Sequence, residues 1–178
     1  QCSGDTVITN DFAFIPYANV KGLSISVTPL VSAARKGFPM PYDITYENTG
    51  STDMAPEVLF TYDNTKLLFD SCSNTAAMLN GNSLLINDDG LKPGERRSFT
   101  AYFHVNINTS LGENVTAGAV AVDGSISASD EVTNQIKGSF DPNDKTCLEG
   151  NIITPSNVGG YINYVIRFEN NGTTNAQN

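Results

Sequence analysis

Apolar and polar residues alternate along most of this chain. In LSISVTPL, Leu23, Ile25 and Val27 fall on one side and serine or threonine on the other, the period-two pattern of a half-buried strand. YDITYEN repeats the pattern with Tyr42, Ile44 and Tyr46, and the NTG that follows supplies residues that tolerate a positive φ and end the strand. EVLFTY and KLLFDS flank Asp63 and Asn64 as a predicted hairpin, and NSLLIN precedes the turn NDDG. After the turn signal Pro93-Gly94, Phe99, Ala101, Phe103 and Val105 alternate with Thr100, Tyr102 and His104. VTAGAVAVDG and DEVTNQIKG close the series, and no stretch has helical periodicity. Roughly seven short strands between residues 22 and 138 predict an all-β fold, an immunoglobulin-like antiparallel β-sandwich. With no Trp in the chain, Tyr42, Phe60, Phe99 and Phe103 are the expected core aromatics.

One phrase occurs twice. YDITYENTGSTD at 42–53 and YVIRFENNGTTN at 164–175 share Tyr42 with Tyr164, Ile44 with Ile166, Glu47 with Glu169, Asn48 with Asn170, Gly50 with Gly172 and Thr52 with Thr174. The offset of 122 residues is the size of a small domain, so the repeat predicts a second module beginning late in the chain. The expected organisation is an N-terminal extension or the end of a preceding module over 1–20 and the sandwich over 21–138. A linker over 139–150 and the first strands of a second module over 151–178 follow, all as part of a longer protein.

The formal charge of −9 argues against attraction to nucleic acid phosphates or anionic lipid. No apolar run is long enough to cross a bilayer as a helix, and Gln1 opens without an export signal, which is expected to have been removed or to lie elsewhere. Abundant Asn, Thr, Ser, Gly and Asp fit a secreted β-rich protein. Cys2, Cys72 and Cys147 have neither metal-cage nor Cys-x-x-Cys spacing, leaving one disulfide or isolated thiols as the alternatives.

The strand ending Y-x-I-x-Y-x-N-x-G, the L-x-P-G-E turn at Leu91 to Glu95, and SFDPNDKTCLEG followed by YVIRFENNG resemble the tandem immunoglobulin-like repeats of large surface and secreted proteins of the Bacteroidetes. The resemblance extends from about Asp11 onward, and FDPNDK to RFENNG is its most specific part. In that group such repeats often precede a C-terminal signal for the type IX secretion system and recur in adhesins and stalks of multidomain exoproteins. The resemblance implies an extracellular or cell-surface location and a spacer role; it implies no reaction. It also implies that Asp5-Thr6-Val7 matches a signal for O-glycosylation, at Thr6.

Candidate chemistry is sparse. Asp141, Asn143 and Asp144 crowd hard oxygen ligands onto the linker in a spacing similar to the calcium linkers of cadherins, although Asp, Pro and Asn are also ordinary turn formers. Asn87-Asp88-Asp89-Gly90 reads as a β-turn. His104, the sole histidine, falls on the polar side of its strand and reads as a solvated surface residue. No Gly-x-Ser-x-Gly elbow accompanies it, so no catalysis is expected. A carbohydrate-binding module is the rival reading, with outward Tyr102 as a thin platform. The sequons at Asn108, Asn114 and Asn171 are expected by chance in so Asn- and Thr-rich a chain. Expected partners are neighbouring modules of the same chain, another chain by strand addition, or surface glycans.

Overall fold

The computed structural model describes residues 18–138, 144–150 and 158–167. Their regular structure is all strand: β1 (Leu23–Pro29), β2 (Ala34–Arg35), β3 (Tyr42–Asn48), β4 (Glu57–Tyr62), β5 (Leu67–Cys72), β6 (Met78–Asn80), β7 (Ser83–Asn87), β8 (Arg96–Val105), β9 (Asn114–Asp123), β10 (Ile126–Lys137), β11 (Asp144–Cys147) and β12 (Tyr164–Arg167). No helix among the described residues is long and apolar enough to cross a membrane. A four-stranded sheet in the order β1-β3-β8-β5 faces a six-stranded sheet in the order β2-β10-β9-β4-β7-β6, and β11 and β12 form a ribbon.

The alternation seen in the sequence is what joins the sheets. Tyr42, Ile44 and Tyr46 on β3 and Phe99, Ala101, Phe103 and Val105 on β8 point inward and are buried, opposite Val58, Phe60 and Tyr62 on β4. Phe103 lies at the centre, its ring centroid 4.6 Å from Tyr62, 5.6 Å from Phe69 and 6.1 Å from Tyr42. Ala117, Ala119 and Ala121 line the inner side of β9, small residues that make room for these rings. The four aromatics expected in the core are all there.

The sandwich class is as the alternation predicts, with three differences in detail. EVLFTY and KLLFDS do not form a hairpin: β4 pairs with β7 and β9, whereas β5 pairs with β8 in the other sheet. The Asp63 carbonyl accepts from the amides of Lys66 and Leu67, and its Oδ1 from the amide and hydroxyl of Thr65, so the segment turns across the core instead of back along its own sheet. Period two says which side is buried but not which sheet a strand joins. The short strands β2 and β6 add to the expected set, and β2 runs parallel to β10, the one parallel pair among the described strands. Residues 144–147, read as linker, form β11.

β1 and β10 both start at one end of the sandwich and finish at the other. Leu23 lies opposite Asn48 at the first end, where Ile126 faces Asp123; at the second end Pro29 lies opposite Tyr42 and β10 finishes beside β2 at Lys137. The chain therefore comes in beside Val20 and Gly22 at one end and leaves through Gly138 at the other.

Candidate functional site

The repeated phrase occupies the incoming end. Asn48, the last residue of β3, is fully buried, and its side chain holds three backbone groups: Nδ2 donates to the carbonyls of Thr52 (2.7 Å) and Leu91 (2.9 Å), and Oδ1 accepts from the Gly50 amide (2.9 Å). The Gly94 amide donates to the Asn48 carbonyl, which brings the Pro-Gly turn onto the same clasp. Gly50 fits because the incoming chain passes over it; a Cβ there would sit 2.4 Å from the Val20 carbonyl oxygen. The shared Asn and Gly of the phrase thus meet backbone needs, a structural role.

Beside the clasp lies an ionic group built around a buried carboxylate. Asp88, in the turn read as NDDG, accepts from the Tyr46 hydroxyl (2.8 Å) and from Arg97 Nη1 (2.5 Å), while Arg97 Nε reaches Glu95 (2.8 Å) and Nη2 the Gly90 carbonyl (2.7 Å). The Asp88 side chain is 2% exposed. Burial first, and then the bond to Asp88, push the Tyr46 hydroxyl far above the usual tyrosine range. Every group here is engaged by another.

His104 is on the surface, as expected, but it is not alone. Its Nδ1 is hydrogen-bonded to Asp70 Oδ2. A β-bulge between Phe69 and Ser71 breaks the β5–β8 register and turns Asp70 toward His104. Both side chains are open to solvent, 46% and 38% exposed. Tyr102 does point outward, 43% exposed, between Thr100 and His104 on β8. Cys72 and Cys147 are half-buried free thiols, and burial pushes the Cys72 thiol up.

Asp141 and Asn143 of the calcium reading, Thr6 of the glycosylation reading, Asn171 and Cys2 lie outside the described residues; Asp144 opens β11. Among the described residues no group of three His, Cys, Asp or Glu side chains is placed to hold a metal ion. Sequence reasoning missed Asp70 and Arg97. The broken alternation in LLFDSC was a signal for the first; nothing local announced the second.

The later copy of the phrase is paired like the first. Cys147 lies opposite Tyr164 and Lys145 opposite Ile166, as Pro29 lies opposite Tyr42 and Val27 opposite Ile44. Tyr42 and Ile44 are fully buried, whereas Tyr164 and Ile166 are 48% and 52% exposed. β3 has β8 on its second edge, and β12 pairs only with β11 among the described strands.

A family described as a domain of unknown function, DUF7619, matches residues 141–178, a stretch shorter than half the chain that contains the second copy of the phrase. No curated protein sequence matches the chain. Solved structures with a similar fold include the N-terminal domain of the Streptococcus gordonii adhesin Sgo0707, at 11% identity and TM-score 0.49 over 65% of this chain and 32% of that one. The cohesin module of a family 33 glycoside hydrolase from Clostridium perfringens matches at 14% identity and TM-score 0.44 over 67% of this chain and 98% of that one. CaCohA2 from Clostridium acetobutylicum matches at 12% identity and TM-score 0.47, over 66% and 92%.

Proposed function

We propose that this chain is a structural repeat of a large extracellular, adhesin-like protein, a spacer with no catalysis of its own. The observation that carries the reading is the placement of the two ends of the sandwich unit: the chain comes in at one end and leaves at the other. Units joined this way extend in line, each about 40 Å long if β10 at twelve residues sets the length. The repeated phrase and the sequence resemblance to Bacteroidetes surface proteins support the same reading, and the resemblance extends it to export by type IX secretion. In it, a strand of the β8 type, from a neighbouring module or another chain, is added to the β11–β12 ribbon and covers Tyr164 and Ile166.

A spacer bears tension, and the topology sets how. β1 and β10 run in the same direction between the two ends, β2 pairs with β10 in parallel, and the Val27 amide donates to Asp130 of β10 at 2.8 Å. Pulling the unit from both ends loads these contacts together in shear. Force spectroscopy on the full chain with handles at residues 18 and 138 is expected to give unfolding forces several-fold higher than handles at 113 and 138, which peel β9 from β10 one bond at a time. Equal forces in the two geometries would remove the load-bearing spacer.

A further inference from the structure

The solvent-facing side of the six-stranded sheet carries a transverse row of apolar side chains. Met78, Leu85, Leu59 and Val120 lie in register across β6, β7, β4 and β9, and Ser129 of β10 ends the row. Leu84, Phe60 and Ala119, chain neighbours of Leu85, Leu59 and Val120, are buried in the core, so these three point outward, and Met78 shares their side through its register with Leu85. Met78 is 49% and Val120 37% exposed; Leu59 and Leu85 are half-buried beside them. Val122, also 37% exposed, widens the row next to Glu57. Beyond the row the face is polar, with Thr61, Ser83 and Glu131 on one side and Asn87 and Glu57 on the other. Gly118 has no side chain to fill its place, which leaves a notch beside Val120 lined by Thr61, Ser129 and Glu131.

The other sheet shows what a merely solvated face looks like in this protein. Its outward positions include Ser26, Thr28, Asp43, Thr45, Ser98 and Thr100, and its exposed Leu68 and Tyr102 lie opposite His104 and Ser71 and not opposite one another, so they form no comparable row. An apolar row that the core does not need marks a surface made to be covered.

We propose that this row docks an amphipathic helix of a partner protein whose apolar ridge is flanked by Lys or Arg. The row crosses three gaps between strands, about 14 Å. Helix side chains recur every 5.4 Å, about the spacing of strands, so residues on three successive turns of one helix face follow the same line. Charge selects the flanks. Glu57 and Glu131 border the row, and the outward positions of β4, β6, β7 and β9 carry no Lys or Arg. A second copy of this chain would set these glutamates against their like in a chain of net charge −9, whereas a cationic flank meets them.

The test uses the full chain and a synthetic 15-residue helical peptide with leucines on one face and lysines on both flanks, beside a twin with glutamate for lysine. Binding of the lysine peptide is expected to shift amide resonances in the row and leave the opposite sheet unchanged. The glutamate twin is expected to bind at least tenfold more weakly. Val120→Lys is expected to weaken binding at least tenfold, and Val120→Thr, which keeps the strand-favouring branch, several-fold with no change in melting temperature. Absence of shifts in the row at millimolar peptide, or equal binding by both variants, would overturn the proposal. So would sedimentation showing self-association that Val120→Lys abolishes, since the face would then belong to a second copy. None of these outcomes bears on the pulling geometry that tests the spacer role.

Discussion

Asn48 is the residue on which the incoming end depends. Replacing it with Ala leaves the Thr52 and Leu91 carbonyls and the Gly50 amide without their partner in a buried place, a loss of about 2–4 kcal/mol, read as a lower midpoint in urea at unchanged slope. Arg97 acts in a different way. Arg97→Met removes the partly exposed cation and leaves the buried Asp88 carboxylate to the Tyr46 hydroxyl and the Gly90 amide, so a cost of about 1–3 kcal/mol is expected. Arg97→Met with Asp88→Asn removes both charges and should recover part of that loss; a double variant no more stable than the single one would show that the pair is not coupled.

Among the elements, the β9–β10 hairpin is the most local. Its strands pair from Asp123–Ile126 onward around the two-residue turn Gly124-Ser125, with Gly124 at φ +62. Gly124→Val forces a branched residue into that conformation and is expected to cost about 1–2 kcal/mol, measured by thermal unfolding. Both strands were readable from their alternation, which acts over neighbouring residues, although the second was read only from Asp130 and the structure begins it at Ile126. The β4–β5 connection was not, since the patterns of EVLFTY and KLLFDS satisfy either a hairpin or a crossing between sheets. Pairing with β8 decides it, and β8 begins more than twenty residues further along.

The stability of the whole molecule should peak at intermediate pH. Thr65, through its hydroxyl and amide, with Lys66 nearby, holds the Asp63 carboxyl below the usual carboxylate range. That stabilisation is complete above the unfolded pKa of about 4 and is lost as pH falls through the folded value. Burial raises the Tyr42 and Tyr46 hydroxyls, and the sign reverses: their contribution is complete below the unfolded value of about 10 and is lost at higher pH, when unfolded tyrosines ionise and these do not. Melting temperatures across pH should therefore fall on both sides of a plateau, and Tyr46→Phe should lessen the alkaline fall; no change in that limb would remove the Tyr46 contribution. By itself the sequence determined the strand class, the inward aromatics and the doubled phrase, because alternation and turn residues act locally along one chain. Only the tertiary structure decided which sheet each strand joins, that Asp88 meets Arg97, that Asp70 turns to His104, and that Met78, Leu85, Leu59 and Val120 form one row. Each of these brings together residues from separate strands, and cross-strand register is fixed by how two whole sheets pack, which no single stretch of sequence encodes.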